Sequence, residues 1–196
     1  MTQAQWDFLE GEFLTLSVSG ALQHSSTYAT EDEKDRDTVR RELRSGLCDL
    51  SAKYSSEVGE EEHLKNIQGL ARHVNMSCAP FLNGDHLRLG VAQKALNLYL
   101  KYLWCVGKIQ IPPPHCPFDN SVINVIGNLK LPTGCERRWT LADKLEHYCD
   151  WVSAAKEEAK KKDLSLAEWE LRAWNAAQPG GKAGCPRGGN SAPPGG

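Results

Sequence analysis

Apolar residues recur every three or four positions along most of this chain, which is the spacing of a buried helix face. The first such run lies in residues 31–55, behind a Thr-x-x-Glu box formed by Thr30 and Glu33 that is typical of a helix N-terminus. A second run occupies residues 59–78, where the negative charges of Glu60–Glu62 favour the first helical turn. The pattern predicts two amphipathic helices in this part of the chain.

A third helix is predicted over residues 90–107, and it differs from the others because it is apolar almost all the way round. Such a helix is expected at the centre of a fold. Its few polar positions form one narrow stripe, Lys94, Asn97, Lys101 and Lys108. Shorter helices are predicted at residues 120–128, after Thr140 as a cap, and over 166–177 after Ser165 as a cap.

The alternation typical of strands is weak, apart from a short extended piece expected near residues 13–18. The fold class is therefore predicted to be mainly α, as a compact helical domain over residues 1–178. Residues 179–196 are rich in glycine and proline and have no large apolar side chain, which predicts a disordered tail.

The composition leads to expectations about the location of the protein and the oxidation state of its cysteines. No run approaches the roughly 20 apolar residues of a membrane span, and the acidic N-terminal segment lacks the layout of a signal peptide. We therefore expect a cytoplasmic protein that does not contact a membrane. The odd number of cysteines favours reduced thiols; the seven are Cys48, Cys78, Cys105, Cys116, Cys135, Cys149 and Cys185.

The net charge of −2 does not by itself indicate a nucleic-acid-binding protein. The charge is unevenly distributed, however. Residues 1–75 carry 8 basic and 14 acidic side chains, whereas residues 76–196 carry 15 basic and 11 acidic ones. A surface that binds DNA is therefore expected in the second part of the chain.

Lys94 and Asp119 carry the chemistry that the sequence suggests. Lys94 lies one turn after Gly90, where the positive end of the helix and burial against apolar neighbours both favour loss of its proton. A neutral amine is a nucleophile. Asp119 follows a proline-rich stretch, residues 112–117, and is the best N-cap in its region, so backbone amides can fix and aim its carboxylate.

The segment Gly-Val-Ala-Gln-Lys at 90–94, followed by Pro-Phe-Asp at 117–119, resembles the helix-hairpin-helix DNA glycosylase superfamily. The nearest members are the 8-oxoguanine DNA glycosylases of the compact archaeal type, which show Leu-Pro-Gly-Val-Gly-x-Lys and then Pro-Val-Asp. Leu89 and Ala92 stand here in place of the proline and the second glycine. The resemblance covers about a quarter of the chain, residues 84–128.

The resemblance implies a helix-hairpin-helix-like element and a DNA glycosylase that extrudes a damaged or modified base. Lys94 would attack C1′ and form a Schiff base, with lyase activity as a further step, while Asp119 would assist departure of the base. Double-stranded DNA would be the partner of a monomeric protein without a cofactor or metal. The role that the resemblance implies is base-excision repair. The compactness of the chain suggests a pocket open enough for a bulky modified pyrimidine, so defence against phages whose DNA carries hypermodified cytosine is the other role.

Further site residues follow from the same expectation. His115, Phe118, Asn120 and Trp104 are predicted to contact the substrate. The DNA backbone would be contacted by residues of the hairpin and of the basic loop after Asp119, namely Gly90, Ala92, Gln93, Lys130, Arg137 and Arg138.

Two other interpretations fit the same residues. Lys94 could be a solvated lysine and Asp119 an ordinary cap, in a non-enzymatic helical module that binds DNA or another protein. Alternatively, a small metal-dependent enzyme could use two histidines and two cysteines, His115, Cys116, His147 and Cys149.

Overall fold

A computed structural model describes residues 1–127 and 131–177 of the chain. Seven α-helices lie in these two ranges, without any strand, which confirms the prediction of a mainly α fold. The helices are α1 Gln3–Leu22, α2 Glu33–Ser51, α3 Glu60–Cys78, α4 Leu89–Cys105, α5 Asn120–Gly127, α6 Leu145–Lys160 and α7 Leu166–Ala177. Short 3₁₀ turns occupy Ala52–Ser55, Ala79–Phe81 and Trp139–Leu141.

Helix α4 is the centre of the molecule, as its apolar pattern predicts. Of its 17 residues, 12 are buried. The three N-terminal helices all pack against it, and the 3₁₀ turn Trp139–Leu141 covers its first turn. Helices α6 and α7 pack against each other, and α5 packs against α6. A central helix of this kind can hold polar side chains in fixed positions, because its surroundings are rigid.

The extended piece expected near residues 13–18 is wrong, because these residues belong to helix α1. The helix begins with a capping box in which Thr2 and Gln5 satisfy each other's backbone amides. Its apolar side chains do not lie on one face, since Phe8 and Leu16 are exposed while Val18 is buried. The helical period is therefore obscured in the sequence, and packing against α4 stabilises the helix instead.

Two predicted caps are also wrong. The side chain of Asp32, not Thr30, accepts from the first turn of α2, at 2.8 Å from the amide of Lys34. Thr140 lies inside a 3₁₀ turn, and α6 begins only at Leu145. The cap at Ser165 is confirmed, because its hydroxyl accepts from the amide of Glu168 at 3.2 Å.

The helix-hairpin-helix-like element is not confirmed. Helix α3 ends at Cys78, and residues 79–88 separate it from α4 with a 3₁₀ turn and irregular backbone. The predicted tail, residues 179–196, lies outside the described residues, as does residue 178 at the predicted end of the domain. None of the described helices combines the length and the apolar character that crossing a bilayer requires.

Candidate active site

Lys94 and Asp119 lie together although 25 positions separate them in the sequence. The Nζ atom of Lys94 is 3.6 Å from Oδ2 of Asp119. This distance is that of an ion pair rather than a hydrogen bond. The lysine side chain is 8% exposed and the aspartate side chain 23%, so the pair lies just below the surface.

Asp119 is the N-cap of α5, as its sequence context predicts. Its Oδ1 atom accepts from the amides of Ser121 at 2.9 Å and Val122 at 3.2 Å. This N-cap leaves Oδ2 facing Lys94. A carboxylate held by two backbone amides has a fixed direction.

Several features of its surroundings act on the charge of Lys94. Burial lowers the pKa of Lys94 below its usual value, while the nearby carboxylate of Asp119 opposes this effect. The Nζ atom also lies 4.3 Å from the ring centroid of Trp139, in the position of a cation–π contact. The lysine is thus held between an aromatic face and a carboxylate.

Trp139 approaches so closely because residue 90 is a glycine. A Cβ atom on Gly90 would lie 1.8 Å from the carbonyl oxygen of Trp139. The amide of Gly90 donates to the carbonyl of Ala142 at 2.8 Å, which ties the segment 139–142 to the start of α4. The glycine therefore serves close packing within the protein.

The pair opens on a cavity of about 320 Å³ between α1, α4 and α7. Leu16 and Trp174 line it and are about half exposed, so the cavity reaches the surface. Its size is at the lower end of the range for small-molecule sites, about 300–1,000 Å³. Its other lining residues are Ser19, Gly20, Gln23, Leu98, Lys101, Tyr102, Pro117 and Glu170.

A second ion pair lies in the same cavity and was not predicted from the sequence. Lys101 donates to both carboxylate oxygens of Glu170, at 2.9 and 2.7 Å. Burial raises the pKa of Glu170, and the charge of Lys101 opposes the rise. Lys101 follows Lys94 by seven residues in α4, so their Cα atoms are about 10 Å apart along the helix axis.

Three of the predicted substrate contacts do not line this cavity because they pack elsewhere. Phe118 is fully buried in the core, and Trp104 packs against the core from its edge. His115 is buried in a polar network, where its Nδ1 atom is 2.8 Å from the hydroxyl of Tyr148. Burial lowers the pKa of His115 to about 3, so the ring is neutral.

Asn120, the fourth predicted substrate contact, lies next to Asp119 but does not line the cavity. It is the first residue of α5, directly after Asp119, and it is exposed. It is not among the residues that line the cavity. The predicted contact of Asn120 with the substrate is therefore not borne out by the position of its side chain.

The predicted DNA-backbone contacts at the hairpin are wrong. Gly90, Ala92 and Gln93 are buried, and the amide of Gly90 already donates to Ala142. The side chain of Gln93 points at the backbone of Phe118 instead of outward. The start of α4 is consequently covered by protein and is not free to bind a phosphate.

The other predicted DNA contacts have different outcomes. Lys130 lies outside the described residues. Arg137 and Arg138 are exposed, and Arg138 donates to the carboxylate of Glu136. Contact between these arginines and DNA stays a prediction.

The metal-dependent alternative has no support in residues 1–127 and 131–177, where no three side chains of His, Cys, Asp or Glu gather in a metal-binding group. Cys116 and His115 are both buried. Burial raises the pKa of the Cys116 thiol far above its ordinary value, which disfavours the thiolate that a metal needs.

No protein family, curated protein or solved structure matches this chain. The chemistry of the cavity has to be inferred from its own geometry. Its distinguishing feature is a partly desolvated amine beside a fixed carboxylate, at the edge of a space large enough for a flat heterocycle.

Proposed function

We propose that the protein is a cytoplasmic DNA glycosylase in which Lys94 attacks the sugar of an extruded nucleotide. The observation that carries the proposal is the 3.6 Å approach of the Lys94 amine to the Asp119 carboxylate inside an open cavity. A solvated lysine and an ordinary cap would not need burial of the amine. No metal or other cofactor is required by this chemistry.

The first step would be attack of the neutral Lys94 amine on C1′. The bond between C1′ and the base nitrogen breaks, and its electron pair leaves with the base, which takes up a proton. The attacking nitrogen loses a proton, and opening of the sugar ring gives the Schiff base. Hydrolysis of that imine by water restores the lysine and leaves an abasic site, whereas elimination of the 3′ phosphate would give lyase activity.

Asp119 would stabilise the positive charge that develops on the sugar. Positive charge develops on the sugar as the base departs, and Oδ2 is the anionic atom nearest to the attacking amine. A carboxylate whose direction is fixed by backbone amides can stabilise that charge without reorganising. It can also receive the proton that Lys94 releases.

The remaining cavity suits a base. Its walls combine the apolar groups of Leu98 and Tyr102 with the ion pair of Lys101 and Glu170. A lysine supplies only donors and a carboxylate only acceptors, so together they complement the mixed polar edge of a nucleobase. Trp174 offers an aromatic face at the mouth of the cavity.

Borohydride trapping tests the nucleophile. Incubation with DNA that contains a substrate base, followed by reduction, should give a covalent protein–DNA adduct. We expect Lys94→Gln to abolish the adduct. Lys65→Gln is the matched control, because Lys65 lies on the surface of α3, where it pairs with Glu61 at 2.7 Å. An adduct that persists in Lys94→Gln would remove Lys94 from the mechanism.

The role of Asp119 is tested by Asp119→Asn, which preserves a side-chain oxygen for the cap. We expect DNA binding to persist and base release to fall by about 10²–10³-fold, the usual effect of removing one preorganised electrostatic group. Unchanged turnover would exclude a part in catalysis.

The base is to be found with a panel of DNAs scored for abasic sites. Oxidised purines and phage DNA with hypermodified cytosine are the two classes to include, with unmodified duplex as control. Salt-sensitive binding without an abasic product on any of these DNAs would favour the non-enzymatic DNA-binding module instead.

A further inference from the structure

The side chain of Gln93 is fully buried and makes a complete set of hydrogen bonds. Its Nε2 atom donates to the carbonyls of Phe118 at 2.7 Å and Gly90 at 2.9 Å. Its Oε1 atom accepts from the amide of Phe118 at 3.1 Å and from Nδ2 of Asn97 at 3.3 Å. Two donors and two acceptor positions are all that an amide side chain offers.

The contact with Phe118 is a two-point clamp. Gln93 holds both the N–H and the C=O of that residue, in the manner of a neighbouring strand. Residue 118 can therefore neither rotate nor slide along α4 without losing both bonds. Asp119 is the next residue, so the clamp fixes the backbone from which the carboxylate extends.

Helix α5 alone is a weak support for Asp119. It has only eight residues, and helices of that length are marginal in water without tertiary contacts. The clamp supplies such a contact directly before the helix begins. Gln93 and Lys94 are also consecutive in α4, so one rigid turn sets the position of the amine and of the carboxylate together.

The orientation of the Gln93 amide is itself fixed. Asn97 donates to its oxygen, and Asn97 is held in turn by His63 at 2.9 Å and Tyr148 at 3.1 Å. All these side chains are buried. A flipped amide would set its NH₂ group against two donors, so only the described orientation satisfies the network.

We propose that Gln93 is a positioning residue, which clamps Phe118 and so holds the Asp119 carboxylate against the Lys94 amine. Its importance for base release rests on the proposed glycosylase function. The effect of Gln93 on the geometry of the Lys94–Asp119 pair does not depend on that function.

The first test uses the unmodified protein. The Phe118 amide should exchange with solvent at least 10²-fold more slowly than an unprotected amide, because it donates to a buried acceptor. An unprotected Phe118 amide would show that the clamp is absent, and would overturn the proposal without any variant.

The second test follows the ionisation of Lys94 through the Cε chemical shift of lysine-labelled protein, with the signal assigned by its loss in Lys94→Gln. In Gln93→Met the carboxylate is released, so the pKa of Lys94 should fall. Asp119→Asn should lower it as well, and the double variant should show no further fall, because both changes remove the same partner. Additive shifts, or no shift in Gln93→Met, would overturn the proposal.

Asn83→Ala is the matched control. Its side chain also bridges backbone groups, the carbonyls of Ser26 and Tyr28 at 2.8 and 2.9 Å, yet it does not line the cavity. The variant should leave the Lys94 titration unchanged. If Gln93→Met does not fold, Gln93→Leu also removes both bonds to Phe118 without adding a charge beside Lys94, and it should produce the same fall in the pKa of Lys94.

Kinetics with a substrate DNA complete the test. Gln93→Met should lower kcat by about 10–10²-fold with KM unchanged, because a misplacement of about 1 Å costs rate rather than binding. A raised KM with unchanged kcat would overturn the positioning role. If the unmodified protein releases no base although the Lys94 titration responds as expected, the glycosylase proposal fails and the clamp stands.

Discussion

Replacing Gly90 with alanine perturbs the wall that Trp139 forms beside Lys94. The new Cβ atom would lie 1.8 Å from the carbonyl oxygen of Trp139, and contacts of this kind are not found below 3.0 Å. The carbonyl must therefore retreat by at least 1.2 Å. The 2.8 Å hydrogen bond from the Gly90 amide to Ala142 would break with that movement.

The size of the effect follows from three contributions. Overpacking costs about 1–3 kcal/mol, and a lost buried hydrogen bond costs about 1 kcal/mol. Alanine regains about 1 kcal/mol through its higher helix propensity. We expect a net loss in the free energy of unfolding on the order of 2 kcal/mol. The displaced Trp139 would also leave Lys94, so adduct formation in the trapping assay should fall.

Equilibrium urea unfolding at neutral pH measures this loss, and Gly69→Ala is the control. Gly69 lies inside α3, and a Cβ atom there meets nothing within 4 Å. The control should be unchanged or more stable by up to about 1 kcal/mol. If Gly90→Ala were as stable as Gly69→Ala, the segment at Trp139 could not lie against α4 as described.

Three further outcomes are expected. Glu170→Met should destabilise the protein in urea unfolding by up to about 3 kcal/mol, because Lys101, whose side chain is 12% exposed, loses its partner. Lys101→Met added to it should restore most of the loss, and additive losses would contradict the pairing. The hydrogen bond to the Gly84 carbonyl, and then Asp143, raise the pKa of His86 above its ordinary 6.5. The stability that the protonated His86 ring contributes should be complete below pH 6.5 and should disappear as the pH rises through the raised pKa. Denaturation curves measured at a series of pH values check this, and His86→Gln should not show the decline. Asp119→Ala should destabilise the fold by about 1 kcal/mol through loss of the cap, whereas Asp119→Ser should retain most of the stability.

The parts of the site that were predictable from the sequence are local ones. The cap at Asp119 depends on amides two and three positions ahead, so the sequence around it is sufficient. The position of Lys94 in a central helix follows from the apolar pattern around it. Both predictions rest on interactions within about one helical turn.

The unpredicted parts depend on contacts between distant segments. Glu170 reaches Lys101 across 69 positions, and no period in the sequence links α7 to α4. Gln93 was expected to contact DNA because it belongs to the segment that resembles the hairpin of the glycosylases. Its actual role becomes visible only once Phe118 is placed beside it, since a buried glutamine is recognised by its partners and not by its neighbours in sequence.

The contact between Trp139 and Lys94 also depends on segments that are distant in the sequence. Its ring lies over Lys94 because Gly90 has no side chain, and the two residues are 49 positions apart. From the sequence alone, a glycine at the start of a helix is usually interpreted as a flexible or phosphate-binding position. In this protein, Gly90 instead allows the backbone at Trp139 to pack closely against α4.

The surroundings of the Lys94 amine also constrain stereochemistry. An indole ring lies on one side of the nitrogen and a carboxylate on another, and the side chain is only 8% exposed. An electrophilic carbon can approach the amine from the cavity that Lys94 lines. For the displacement at an anomeric centre that we propose, approach from the cavity should select one configuration, so that a sugar whose base points toward the amine would not react.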